Sequence, residues 1–453
     1  MSCSALKDKL AGASIHLWGA GRWGRVLRRR LAILGLEPAG FLDSNAANLP
    51  SEILGLPVEA PEPFLAAHAR KAAGPTEHLS AMPQPASGSG GESGPQGGRD
   101  VLVITPQFFR EAMLPLAEKA GFVRGENLFL AEDFTPHHYV VEISGRCNLR
   151  CPACPRGRKQ PFENRDGGQM SLDAFRLVAA KIKAEDPMAA NLQLYQWGEP
   201  LLNPDLPAMI ELARDNELPV SISSNLNVER DLEPVIAAGP DWFRASLSGC
   251  GPDYEKTHAG GKWARVRRQM DRLAELKRRH NSAMRVEVYY HLYRHNQGDE
   301  IKEALALCRD LGFEFQPVWG YLISLDEMMG AALGRPLPDE AEKISELLAI
   351  DYQKALAEAR RERHKPCLVD KAVMVDWDLS APVCMMFYYR RQNVLAENFL
   401  ETPLGELMRR REESELCARC CRLGLHRYCD FYYNYPINMD QFGNIHAKRP
   451  AYK

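Results

Sequence analysis

At 453 residues, with 57 Lys and Arg against 59 Asp and Glu, the chain has a formal net charge of -2 and room for roughly two or three domains. That balance excludes an electrostatic case for nucleic acid. No stretch approaches the roughly 18 consecutive apolar residues of a membrane span, and no signal-peptide-like run opens the chain, so the expected location is the cytoplasm.

The chain opens with a predicted strand from Ile15 to Trp18, the turn GAGRWG, a helix from about Trp23 to Leu34 and a strand ending at Asp43. Gly19, Gly21 and Gly24 fit the dinucleotide fingerprint, with Asp43 roughly 20 residues on, where a ribose hydroxyl would be met. Arg22 and Arg25 suit a phosphate or water equally, so a nucleotide is one of two readings of this turn. The stretch SAMPQPASGSGGESGPQGG is nearly free of large apolar side chains and predicts a mobile loop over about 73–99. Order resumes with a strand from Val101 to Ile104 and a helix from about Phe109 to Ala120, which gives a first α/β domain over 1–135.

Of the 12 cysteines, three lie in the run CNLRCPACP as Cys147, Cys151 and Cys154. A cubic [4Fe-4S] cluster takes one thiolate per iron, so three thiolates leave one iron open to a small molecule. Structural zinc is the competitor, but it needs a fourth ligand, and the nearest histidines, His137 and His138, precede the far end of a predicted strand. A second set comprises Cys367, Cys384, Cys417, Cys420, Cys421 and Cys429. In a reducing compartment, cysteines so grouped read as ligands rather than disulfides. Cys308 instead shares a helical face with Ile301, Leu305 and Leu311 and reads as core.

From Tyr139 onward six predicted strands alternate with helices: Tyr139 to Ser144, Leu192 to Tyr195, Val220 to Ser223, Trp242 to Leu247, Val286 to His291 and Phe313 to Val318. Ser171 is placed to cap the first helix. Such βα repetition predicts a parallel sheet curled into a partial (β/α)6 barrel resembling a TIM barrel, with functional groups at the carboxyl ends of its strands. The cysteine loop, GEP at Gly198 to Pro200, Ser223 to Asn225, and Ser246 with Ser248 all fall there.

These residues resemble the radical S-adenosylmethionine (radical SAM) superfamily, through CNLRCPAC, WGEPLLNP, SISSNL, ASLSG and RHNQGDEIKEA. The resemblance covers roughly 139–330. It implies that Cys147, Cys151 and Cys154 hold a [4Fe-4S] cluster whose open iron is chelated by the methionyl amine and carboxylate. It further implies that Gly198, Glu199 and Pro200 lie beside that amine, and that Ser223, Asn225 and Ser246 contact ribose or carboxylate. The usual aromatic before the third cysteine is replaced by Ala153. The implied activity is reductive cleavage of S-adenosylmethionine to a 5'-deoxyadenosyl radical that abstracts hydrogen from a substrate.

The distal cysteines resemble the SPASM or shortened twitch auxiliary-cluster domain. That resemblance implies one further [4Fe-4S] cluster on Cys367, Cys384, Cys417 and Cys420, with Cys429 able to replace one of them; a zinc knot is the structural alternative. The first domain resembles small Rossmann-like domains of surface-carbohydrate and related biosynthetic enzymes. The expected organisation is therefore a Rossmann-like domain over 1–135, a barrel over 136–335, a linking helix over 336–365 and an auxiliary-cluster domain over 366–453. The expected substrate is a small polar metabolite, such as a sugar or nucleotide-sugar, in preference to a peptide, with oxidation assisted by the auxiliary cluster. Peptide or protein modification is the alternative, and a non-catalytic iron–sulfur electron-transfer or scaffold protein is a third reading. A reducing protein such as flavodoxin or ferredoxin is the implied electron donor. Tyr289, Tyr290, Tyr321 and Asp326 fall near the predicted rim as candidate catalytic groups.

Overall fold

The computed structural model describes residues 3–72, 99–105, 110–134, 137–157, 167–388, 393–435, 437 and 439. The loop expected at about 73–99 thus falls outside the described residues, apart from Arg99. The chain divides into two compact units, Met1–Pro136 and His137–Lys453.

In the first unit, strands β1 (Ser14–Trp18), β2 (Gly40–Leu42), β3 (Glu52–Ile53), β4 (Leu56–Glu59), β5 (Asp100–Ile104) and β6 (Leu128–Leu130) form one sheet of order β3-β4-β2-β1-β5-β6. All pairings are parallel except β3 with β4. Leu17, Phe41, Val101, Leu102 and Val103 are fully buried, as continuous apolar runs must be when both faces of a parallel sheet are covered. Gly24 lets the helix Arg22–Ile33, which follows β1, approach that strand, because a Cβ there would lie 1.9 Å from the Gly19 carbonyl oxygen.

In the second unit, β7 (His138–Val141), β8 (Leu192–Gln193), β9 (Val220–Ser224), β10 (Trp242–Leu247), β11 (Arg285–Leu292), β12 (Glu314–Trp319) and β13 (Ala372–Val375) line up as β12-β11-β10-β9-β8-β7-β13. Every neighbouring pair is parallel. The expected six strands are present, and the seventh comes from the segment assigned to a separate cysteine domain. The run AVMV in β13 is buried at all four positions, and its pairing with β7 joins the C-terminal region to the core. In place of one linking helix there are two, Asp339–Ser345 and Tyr352–Arg361, the second capped where Asp351 Oδ1 accepts from the Gln353 amide at 2.6 Å. A short antiparallel pair follows, β14 (Ala381–Pro382) with β15 (Val394–Ala396), and then helices Leu404–Glu412, Glu415–Leu423 and Tyr428–Asn434.

Strand alternation sorts the side chains of β10 and β11. Phe243, Ala245, Leu247, Val286, Val288, Tyr290 and Leu292 belong to the hydrophobic core. The other face carries Arg244 opposite Glu287 and Ser246 opposite Tyr289.

Candidate active site

The loop after β7 is held closed by its own backbone: the Cys154 amide donates to the Cys151 carbonyl at 3.1 Å and Gly157 to Cys154 at 3.0 Å. A Cβ at residue 157 would lie 2.4 Å from the Cys151 carbonyl oxygen, so this turn requires glycine. Asn225, just past β9, donates through Nδ2 to Cys147 Sγ at 3.8 Å and to Asn148 Oδ1 at 3.0 Å. Burial first, and then the Glu199 carboxylate, push the Cys147 thiol up to about 12; burial with the two neighbouring thiols raises Cys151 well above its ordinary value. Thiols so placed stay neutral until a cationic centre favours the thiolate. Among the described residues, no three His, Cys, Asp or Glu side chains are placed to hold a single metal ion. An iron–sulfur cube takes one thiolate per iron and does not need them to converge on one point, so the donor set fits it better than tetrahedral zinc. Ala153 is buried, and the aromatic neighbours of the loop come from elsewhere. Tyr254 and Tyr293 are close enough that the loop's cysteines raise their pKa, after burial.

The GEP loop is fixed by a residue absent from the sequence-derived set. Glu142, 2% exposed, accepts at one oxygen, Oε1, from the amides of Trp197 and Gly198, each at 2.7 Å. An acid ending the apolar run YVVEI is itself a signal, since a buried carboxylate needs dedicated donors. The Glu199 amide donates to the Arg146 carbonyl at 2.7 Å. Its carboxylate caps the short 3-10 turn Pro200–Leu202 through Leu201 at 3.0 Å and takes the Asn225 amide at 2.9 Å. Glu199 thus clamps the motif to the end of β9, and burial holds its pKa up at about 7 despite those donors.

Ser223 Oγ and Ser246 Oγ meet at 3.2 Å. Below them, the Arg244 guanidinium lies 4.2 Å from the Tyr289 ring centre and 4.7 Å from that of Trp242, and its Nε is 3.3 Å from Glu287 Oε1. Tyr321 and Tyr433 share a hydroxyl contact of 3.1 Å, and the phenols of Tyr289 and Tyr433 raise the pKa of Tyr321 further, after burial. Tyr289 and Tyr321 are therefore brought together, with Tyr433 a member that helix Tyr428–Asn434 supplies. Tyr290 is not among them: alternation turns it into the core. Nor is Asp326, whose Oδ2 accepts from the Tyr388 amide at 2.6 Å and from Ser324 Oγ at 3.3 Å, anchoring a loop.

A buried histidine lies behind this rim. His258 Nδ1 is 2.9 Å from Ser248 Oγ and its ring stacks on Tyr254 at 4.5 Å. Burial, and then His291, push its pKa down to about 3. The unfolded imidazole protonates near about 6.5, so this contribution to stability is complete above that pH and is lost as pH falls toward 3. The loss grows by roughly 1.4 kcal/mol per unit. Thermal unfolding temperatures are expected to fall between about pH 6.5 and 5, with a shallower slope for His258→Gln; parallel slopes would contradict the assignment.

The C-terminal thiols also gather. Burial followed by Cys367 and Cys417 pushes Cys384 up to about 12. After burial, Cys384 and Cys367 both raise Cys429, and Cys420 is raised by Cys384, Cys421, Cys367 and Cys417. Cys417 and Cys420 share the helix Glu415–Leu423, capped by Ser414, while Cys421 is exposed. Five thiols that are not exposed, Cys367, Cys384, Cys417, Cys420 and Cys429, are thus available to a second centre.

In the first unit, Gly19 adopts a φ of +118°. The Asp43 carboxylate accepts from the Ala20 amide at 2.8 Å and the Asn45 amide at 2.9 Å. Asp43 therefore occupies a fingerprint amide that would otherwise face a ligand. Gly21 has open space where a side chain would stand.

Comparison with known proteins places these features. Residues 141–327 match the Radical SAM superfamily. A probable GTP 3',8-cyclase of Methanococcus maripaludis strain C6 is 28% identical over 141 residues, covering 30% of this chain and 45% of that protein; its counterpart in strain C5 is 27% identical over the same shares. The chain thus spans less than half the length of these curated relatives. Among solved structures, native anSMEcpe with bound AdoMet is similar at 15% identity and TM-score 0.40, over 63% of this chain and 88% of that one. Streptococcus suis SuiB bound to precursor peptide SuiA follows at 11% and 0.43, over 63% and 66%, and BtrN with AdoMet and 2-DOIA at 15% and 0.38, over 66% and 92%. The expectation of a small polar metabolite in preference to a peptide is overturned by this set, in which peptide complexes of anSMEcpe and SuiB outnumber the BtrN complex. Among the described residues, no helix is long and apolar enough to cross a membrane. With the three-cysteine loop, the clamped GEP motif and the family match over 141–327 all falling on one α/β core, the chain carries the core of a radical SAM superfamily enzyme.

Proposed function

We propose that this enzyme modifies an amino-acid side chain of a peptide or protein, in the cytoplasm, by abstracting hydrogen from a C–H bond inside a partial (β/α)6 barrel formed by the second unit. The supporting observation is the set of five unexposed C-terminal thiols joined to the radical SAM core in one compact unit, since the cysteine domain they resemble accompanies peptide modification. Cys147, Cys151 and Cys154 would hold the S-adenosylmethionine cluster, and four of the five distal thiols a second one. When bound, these groups supply a 5'-deoxyadenosyl radical and an acceptor for the electron left on the substrate.

The chain's own residues do the rest. Glu142 and Glu199 hold the GEP loop against the cysteine loop, so the cofactor pocket is built before ligand arrives. Ser223, Ser246 and Asn225 present hydroxyl and amide groups to the cofactor. Tyr289, Tyr321 and Tyr433 wall the chamber and exclude water from a reactive intermediate. The phenols of Tyr289 and Tyr321 are held protonated by burial, which makes them hydrogen-bond donors to the substrate rather than bases. The Rossmann-like first unit is proposed to be a recognition element whose glycine turn is braced by Asp43.

The test is incubation of the reconstituted, reduced enzyme with S-adenosylmethionine and a peptide library carrying deuterated side chains. Deuterium in 5'-deoxyadenosine together with a peptide lighter by two hydrogens is the expected outcome. Cleavage that never draws deuterium from any peptide would sink the peptide reading and leave the radical chemistry standing.

A further inference from the structure

Away from the chamber, a groove of about 1090 Å³ runs between the turn after helix Leu325–Ala332 and the helix Tyr352–Arg361, ending at Leu423. Its floor is apolar and incompletely covered: Ala331, Ala332, Leu356 and Leu423 are only partly buried against the core. Its rim carries Arg335, Arg360, Arg361 and Arg363, all exposed, with His364 beside them and no aspartate or glutamate in the lining.

A solvated helix end is the plain explanation for part of this. Arg360 and Arg361 occupy the last turn of their helix, where cations offset the dipole, and Arg361 is paired with Glu358 at 2.7 Å. That accounts neither for Arg335, which comes from another element across the groove, nor for the apolar floor between the arginines. Charges repelling one another around a half-covered apolar trough are costly to a free surface and useful to one that receives an anion-bearing segment.

We propose that this groove docks an acidic segment of the peptide substrate, remote from the residue being modified. Apolar side chains of the segment cover Leu356 and Leu423, while its carboxylates meet the arginine forks, whose planar geometry suits two-point contact. The inference rests on the peptide reading above and adds to it a class of substrate: peptides with alternating acidic and apolar residues outside the reacting site. Binding there raises the local concentration of the reactive residue at the chamber without any new contact at the chemistry.

The test uses the full chain and two fluorescein-labelled peptides, one alternating Glu and Leu, the other with Lys in place of every Glu. Fluorescence anisotropy is expected to show binding of the acidic peptide alone, weakening as salt rises from about 50 to 200 mM. The variant R335E/R360E/R363E is expected to lose at least about tenfold in affinity, with unfolding temperature and peptide-independent cleavage of S-adenosylmethionine unchanged. The single substitution Arg363→Ala, which adds no charge clash, is expected to lose a smaller factor in the same direction. Equal binding of both peptides, no binding of either, or unaltered affinity in both variants would each overturn the groove. Acidic-peptide binding that obeys these rules in an enzyme that modifies no peptide would instead overturn the function reading alone.

Discussion

Replacing Cys147, Cys151 and Cys154 together with alanine is expected to reduce 5'-deoxyadenosine formation to background while part of the iron remains bound. The three thiols sit in one loop whose shape depends on other groups: the Glu199 amide bonded to Arg146, Asn225 bonded to Asn148, and the Arg150 amide donating to Ala259 at 2.9 Å. Removing sulfur therefore removes ligands without dismantling the loop. The distal thiols are raised chiefly by burial and by one another, and none of the loop's cysteines contributes to those shifts. They should accordingly keep iron, read as residual iron content and a residual cluster signal in electron paramagnetic resonance. Loss of all iron would mean that the C-terminal cysteines hold no independent cluster. Undiminished cleavage would remove the loop from the active site.

Much of this site was legible because its chemistry depends on spacing and on residue types that have few other uses. Three cysteines in eight residues, a Gly-Glu-Pro turn after an apolar strand, and serines at successive strand ends all mark the same rim before any coordinates exist. The strands themselves followed from apolar runs bounded by turns, and β10 falls at Trp242–Leu247 as expected. What was hidden falls into two kinds. β13 lies far along the chain from its partner β7, and four apolar residues between cysteines carry no period that says which sheet they join. Glu142, Arg244 and Tyr433 were hidden because their meaning is their partners. Tyr289 and Tyr290 show the same limit in miniature: adjacent and chemically identical, they are separated by the strand's two-residue period into the face shared with Ser246 and the core. Glu199 shows its converse, since its motif position is plain while its two backbone donors are visible only in three dimensions.

Gly198→Ala tests whether the GEP loop must approach the cysteine loop as closely as it does. A Cβ at this position would stand 1.7 Å from the Ser144 carbonyl oxygen and 2.9 Å from that of Arg146. Both are backbone atoms that no rotamer change can move aside, so the loop itself must retreat. In retreating it breaks the two 2.7 Å bonds from Trp197 and Gly198 to Glu142, and hydrogen bonds to a charged acceptor are worth about 1.5–3 kcal/mol each. Glu142 is 2% exposed, so water cannot readily take the place of those amides, and the penalty of a poorly satisfied buried carboxylate adds to their loss. The same displacement draws Glu199 away from Asn225, and with it the amide that donates to Cys147. The expected result is a loss of S-adenosylmethionine affinity of at least about 100-fold, equivalent to roughly 2.8 kcal/mol, together with a lowered unfolding temperature. Glu142→Gln should follow in the same direction with a smaller effect, because a glutamine oxygen can still accept from both amides but carries no charge. Isothermal titration against S-adenosylmethionine, with iron content measured in parallel, separates this from simple loss of the cluster. Wild-type affinity in Gly198→Ala would show that the approach of the two loops is not what shapes the cofactor pocket.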